Sequence, residues 1–139
     1  MGPARILVAN GNEDVLAALK DVLSEGGFEV MTVHVRPMRL GDMDFREVFR
    51  SFAPDFALMD IGPPYPDNWA FARSLVDDPA TGGIPFLWTT TNARALAELT
   101  GVIAEELLLK PYELEQLIEK ARALLAARGS RDPVPKVST

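Results

Sequence analysis

Short apolar runs alternate with longer segments of helical periodicity along this chain, and this alternation constrains the fold more than any other feature. Strands buried on both faces of a sheet are continuous apolar runs, whereas apolar residues at positions i, i+3, i+4 and i+7 indicate an amphipathic helix. The apolar runs predict strands over 5–9, 28–35, 55–60, 84–90 and 106–109. The intervening segments predict helices over 13–25, 43–52, 67–78, 92–100 and 112–127, with a loop over 36–42.

This alternation predicts a single α/β domain. Strict βα repetition is typical of a parallel sheet with right-handed crossovers and helices on both faces. The chain has 139 residues, and domains of about 100–150 residues are the commonest size. We therefore expect a doubly wound, parallel, five-stranded sheet within residues 1–127. Residues 128–139 are expected to be a flexible tail or the start of a linker.

The composition excludes several classes of function. The chain has no cysteine and one histidine, His34, so hydrolase triads and multi-histidine or thiolate metal sites lack the residues they need. The net charge of −6 disfavours direct nucleic-acid binding, which depends on clustered Lys and Arg. No apolar run approaches the ~18 residues of a membrane helix, and no signal peptide precedes the first strand. We expect a cytoplasmic protein that contacts neither nucleic acid nor membrane directly.

Polar residues end four of the predicted strands. Asn10 follows the first strand, Asp60 and Thr90 end the third and fourth, and Lys110 follows the fifth. The carboxyl ends of parallel strands meet at one edge of the sheet, and ligand sites of open α/β sheets lie beyond that edge. A functional site is therefore expected there.

From Ile6 to about Leu125 the chain resembles the receiver domains of bacterial two-component response regulators. The segment 54–60 is similar to the family's third strand, which ends in the phosphorylated aspartate, and Pro64 matches the proline of the following loop. The segment 84–90 resembles the fourth strand, which ends in a hydroxyl residue, and 109–112 resembles the Lys-Pro-aromatic end of the fifth strand. The resemblance implies a flavodoxin-like (βα)5 fold with strand order 2-1-3-4-5.

The same resemblance implies a function in phosphorelay signal transduction. A receiver is a switch rather than a metabolic enzyme, and it accepts a phosphoryl group from a sensor histidine kinase or a phosphotransfer protein. Asp60 is the implied phosphoacceptor, Thr90 would bond a phosphate oxygen, and Lys110 would pair with Asp60 or its phosphate. The chemistry agrees, because a carboxylate attacks a phosphoryl group only if the transferring oxygens are neutralised. A homodimer or docking surface formed by the fourth helix, fifth strand and fifth helix is also implied.

The resemblance implies a Mg²⁺ ion held by Asp60, by the backbone carbonyl of Gly62 and, weakly, by Asn10. The chain departs from the family at the end of the first strand, where an acidic pair is usual and Asn10-Gly11 stands instead. Mg²⁺ sites depend on carboxylate oxygens, so binding is expected to be weak or lost. A milder departure is Asn68, where many members have glycine.

Two other interpretations stay open from the sequence. An atypical receiver could keep the fold and act as a protein-protein interaction module without phosphate chemistry. A flavodoxin-like cofactor binder shares the architecture, but the chain lacks a phosphate-cradling loop after the first strand.

Overall fold

The strands form one parallel sheet in the order β2-β1-β3-β4-β5. The structure, a computed structural model, describes residues 2–41, 43–92, 94, 98, 107–110 and 113–131. The α/β class and the strand order predicted from the sequence are both confirmed. The elements are β1 (Arg5–Asn10), α1 (Glu13–Glu25), β2 (Glu29–His34), α2 (Val35–Arg39), α3 (Phe45–Phe52), β3 (Phe56–Asp60), α4 (Tyr65–Asp77), β4 (Phe86–Thr90), β5 (Leu107–Leu109) and α5 (Leu114–Arg131).

Several predicted boundaries differ from the structure by one to four residues. The predicted loop over 36–42 contains most of the short helix α2. Helix α4 begins at Tyr65 rather than at residue 67, because Pro66 is compatible with the first helical turn, where its missing N–H has no partner to lose. Helix α5 ends at Arg131, whereas the predicted helix ends at residue 127. Among the described helices, none is long and apolar enough to cross a membrane.

The helix predicted over 92–100 lies mostly outside the described residues. Within it, Arg94 and Glu98 are helical and form an ion pair with 3.3 Å between Nε and Oε2. The docking or dimer surface that the resemblance implies includes this helix, so that part of the surface lies mostly outside the described residues, and the surface stays a prediction.

Two hydrophobic cores cover the two faces of the sheet. Successive side chains of a strand point to opposite faces, so each central strand contributes to both cores. In β3, Phe56 and Leu58 pack towards α1 and α5, whereas Ala57 and Met59 pack towards α3 and α4. Because both faces are covered, polar side chains can collect only where the strands end.

Leu58→Ala should lower the free energy of unfolding by about 3 kcal/mol, since it opens a cavity in the middle of the sheet. Leu58 is 2% exposed. The matched control is Leu40→Ala, because Leu40 is 56% exposed and should lose less than about 0.5 kcal/mol. Urea unfolding followed by circular dichroism measures both, and equal losses in the two variants would contradict the packing described here.

Candidate functional site

The carboxyl ends of the strands bring the predicted polar residues to one edge of the sheet. Met59 is the register partner of Ala9, so Asp60 and Asn10 each lie one residue beyond a paired position on neighbouring strands. On the other side, Asp60 is itself the partner of Thr89 in β4. Lys110 follows β5 directly, and its backbone N–H donates to the carbonyl of Thr90. Sheet register therefore places the polar residues of β1, β3, β4 and β5 together.

The Asp60 carboxylate is contacted by two donors on the same oxygen. The Lys110 ammonium nitrogen lies 2.9 Å from Asp60 Oδ1, and the Thr89 hydroxyl donates a hydrogen bond of 2.8 Å to that oxygen. The Asp60 side chain is 18% exposed and that of Lys110 is 33% exposed. This pocket therefore holds a partly buried carboxylate whose charge is balanced by one cation. The carboxylate is exposed enough for a reactant to reach it.

Thr90 was the hydroxyl predicted for this site, but Thr89 is the one that meets Asp60. The Thr90 side chain is fully buried, and its oxygen accepts a hydrogen bond of 3.2 Å from the backbone N–H of Asn92. In the described part of the chain it makes no hydrogen bond to Asp60, so its predicted bond to a phosphate oxygen stays a prediction. The role of Thr89 was missed by sequence reasoning. Alternation along β4 shows only that adjacent threonines point to opposite faces of the sheet, so the sequence leaves open which of the two meets Asp60.

The loop after β1 holds no carboxylate of the usual acidic pair. Asn10 is 7% exposed, and its side-chain oxygen accepts a hydrogen bond of 3.0 Å from the backbone N–H of Asn12. Asn12 in turn caps α1 by accepting from the N–H groups of Asp14 and Val15 at 2.8 and 3.1 Å. Gly11 is exposed, and a Cβ built on it would contact nothing within 4 Å.

The backbone carbonyl of Gly62 accepts a hydrogen bond from a side chain of the same chain. Asn68, in the first part of α4, donates its side-chain N–H to this oxygen over 2.7 Å. Glycine at position 68 would have no such donor. The oxygen that the resemblance assigned to a metal therefore has an internal partner.

These contacts test whether the pocket fits Mg²⁺. The described residues contain no group of three or more His, Cys, Asp or Glu side chains that could hold a metal ion. Asp60 contributes a carboxylate whose charge is balanced by Lys110, while the oxygens of Asn10 and Gly62 accept protein N–H donors. Mg²⁺ requires near-octahedral oxygen ligands and gives up its waters reluctantly. With one carboxylate, and with two oxygens that already accept protein N–H groups, the pocket fits the ion poorly.

Comparisons with known proteins give curated relatives along nearly the whole chain. The transcriptional regulatory protein PrrA of Mycobacterium tuberculosis is 30% identical over 131 residues, which cover 91% of this chain and 52% of that protein. The response regulator MprA of Mycobacterium avium is 28% identical over 137 residues, which cover 96% of this chain and 56% of that protein. This chain thus spans about half the length of these relatives. No family model matches it.

Solved structures give the same likeness at the level of the fold. A response regulator receiver protein from Sinorhizobium medicae superposes with a TM-score of 0.68 at 27% identity, covering 91% of this chain and 97% of that chain. The chemotaxis protein CheY4 of Vibrio cholerae superposes with a TM-score of 0.67 at 17% identity, covering 88% of this chain and 99% of that chain. At 17% identity, the likeness to CheY4 concerns the fold alone.

Proposed function

Because this chain belongs to the receiver domains of response regulators, we propose that it accepts a phosphoryl group on Asp60 from a sensor histidine kinase or a phosphotransfer protein. The observation that supports this most is the position of Asp60 at the end of β3, with the Lys110 ammonium 2.9 Å from its Oδ1. A nucleophile and a cation side by side at the strand ends match the needs of phosphoryl transfer. The domain would act as a signalling switch and not as a metabolic enzyme.

The transfer proceeds by in-line attack of Asp60 Oδ2 on the phosphorus of a phosphohistidine. The P–O bond forms while the P–N bond breaks, and the electron pair of that bond goes to the departing imidazole, which takes a proton from solvent. Lys110 holds Oδ1 and lies beside the transferring oxygens, whose negative charge it partly neutralises. The product is an acyl phosphate in which Oδ1 is the carbonyl oxygen.

Receiver domains generally bind Mg²⁺ at an acidic pocket, and this pocket departs from that pattern. The predicted ligands Asn10 and Gly62 accept protein N–H groups, and Gly11 has no side chain. We therefore propose that charge neutralisation depends mainly on Lys110 and that any bound Mg²⁺ is held weakly.

Incubation with a small phosphodonor and Mg²⁺ should add one phosphoryl group to the wild-type protein, seen as a gain in intact mass. Asp60→Asn should abolish the gain, because the amide is not a nucleophile at this position. Asp67→Asn is the matched control, since Asp67 is an exposed aspartate of the neighbouring helix α4 and its variant should keep the full gain. A gain that survives Asp60→Asn would contradict Asp60 as the acceptor.

The second candidate function is an atypical receiver that signals through constitutive protein contacts. One specific observation favours it, namely that Asn68 and the backbone of Asn12 donate to the oxygens expected to face a metal. Absence of any mass gain at high phosphodonor concentration and long incubation would support this candidate over phosphoryl acceptance.

A further inference from the structure

We propose that Thr89 is a positioning residue that limits the lifetime of phosphorylated Asp60 by stabilising the carboxylate when phosphate departs. This inference rests on the proposed function and adds a residue to it. The observation is the 2.8 Å hydrogen bond from the Thr89 hydroxyl to Asp60 Oδ1.

Strand register makes this contact a fixed feature of the fold. Asp60 and Thr89 are direct partners on β3 and β4, so their side chains leave the sheet on the same face. Thr89 is 3% exposed, and a β-branched side chain in a strand has few rotamers open to it. The pairing of β3 and β4 thus holds the Thr89 hydroxyl next to Asp60, and the hydrogen bond forms without any rearrangement of a loop.

Both contacts to Asp60 are made to the same carboxylate oxygen, Oδ1, so the other oxygen, Oδ2, is the one that would attack phosphorus. Thr89 and Lys110 approach Oδ1 from β4 and from the residue after β5, at 2.8 and 2.9 Å. Among the described residues, both donors that contact the Asp60 carboxylate do so at Oδ1 and neither at Oδ2. With Oδ1 anchored in this way, Oδ2 is the oxygen turned towards an incoming phosphorus atom.

The hydrogen bond has different strengths in the two states of Asp60. In the free protein Oδ1 belongs to an anion, and hydrogen bonds to charged groups are about twice as strong as those between neutral groups. In the acyl phosphate Oδ1 is a neutral carbonyl oxygen, so the bond from Thr89 is weaker. Thr89 therefore favours the unphosphorylated carboxylate over the phosphorylated state.

Hydrolysis restores that carboxylate. Water attacks the phosphorus, the P–Oδ2 bond breaks with its electron pair returning to Asp60, and the protons of the water end on inorganic phosphate or in solvent. Negative charge grows on both carboxylate oxygens as the bond breaks, so the hydrogen bond from Thr89 strengthens along the way. A donor that strengthens towards the transition state speeds this step.

Thr89→Val should lengthen the half-life of the phosphorylated protein by about tenfold, the effect of losing one hydrogen bond to a charged group. Valine keeps the branched shape, so packing in β4 changes little. Thr89→Ser keeps the hydroxyl and should keep a half-life within about twofold of wild type. The measurement is the decay of the phosphorylated mass after the phosphodonor is removed by desalting, with thermal unfolding of each variant as a check of folding.

The two substitutions separate a hydroxyl role from a packing role. A threonine with only a structural role would give the opposite pattern, with a wild-type half-life for Thr89→Val and an altered half-life for Thr89→Ser. That result would overturn this inference and leave the proposed function standing. Equal half-lives in all three proteins would overturn it in the same way. Failure of the wild-type protein to gain a phosphoryl group would overturn the proposed function together with this inference.

Discussion

The double substitution Asn10→Asp/Gly11→Asp should strengthen Mg²⁺ binding by at least roughly tenfold. Two unit charges about 4 Å apart interact by about 4 kcal/mol at an effective dielectric near 20, so even one added carboxylate outweighs a substantial desolvation cost. The site can accept both side chains. A Cβ at Gly11 meets nothing within 4 Å, and an aspartate at position 10 can still accept from the backbone N–H of Asn12.

Isothermal titration calorimetry with Mg²⁺ measures this effect directly. Gly11→Asn is the matched control, because it adds a side chain of nearly the same shape without charge, and it should leave the affinity near that of wild type. Wild-type protein that binds Mg²⁺ as tightly as the double variant would contradict the prediction. It would mean that Asn10, or one of the two acidic residues in the first turn of α1, Glu13 and Asp14, already completes the site.

The same double variant should show a linked change in stability. Three carboxylates crowded at one strand edge repel each other, so its melting temperature in chelator should fall below that of wild type. Addition of Mg²⁺ at about 100 times the dissociation constant should return about 2.7 kcal/mol of stability, because the ion binds the folded state alone. Wild-type stability should change little under the same conditions.

Lys110→Met should slow phosphorylation of Asp60 by about 100-fold. In the part of the chain that the structure describes, Lys110 is the one cation within 4 Å of the Asp60 carboxylate. Removal of a single preorganised donor at a reacting oxygen costs roughly 100- to 1000-fold in rate, and partial exposure of Lys110 favours the lower end. Methionine approximates the length of the lysine stem, so the change removes charge with little change in packing.

The rate of mass gain with a small phosphodonor measures this prediction. Lys20→Met is the matched control, since Lys20 lies on the exposed side of α1 and should not affect the rate. Lys110→Arg should recover only part of the activity, because a planar guanidinium cannot occupy the position of a compact ammonium. A rate for Lys110→Met within threefold of wild type would contradict the role assigned to Lys110.

The α/β class and the positions of Asp60 and Lys110 at strand ends were predictable from local patterns in the sequence, whereas the strand order was implied by the family resemblance. A continuous apolar run reports burial on both faces of a sheet, and a polar residue directly after it marks the point where burial ends. Asp60 and Lys110 stand at such points, and parallel strands bring their carboxyl ends together. The short helix α2 was missed because five residues carry too little periodicity to predict it.

Only the tertiary structure decided which partner each site residue has. Thr89 and Thr90 are chemically identical neighbours, and a shift of one residue in the pairing of β3 and β4 would exchange the faces they point to. The observed register pairs Asp60 with Thr89, so that hydroxyl meets the carboxylate and Thr90 is buried. The bond from Asn68 to Gly62 likewise depends on where α4 begins after its proline-rich loop. The register of the strands and the residue at which α4 begins both result from the packing of distant segments. No local pattern in the sequence determines either of them.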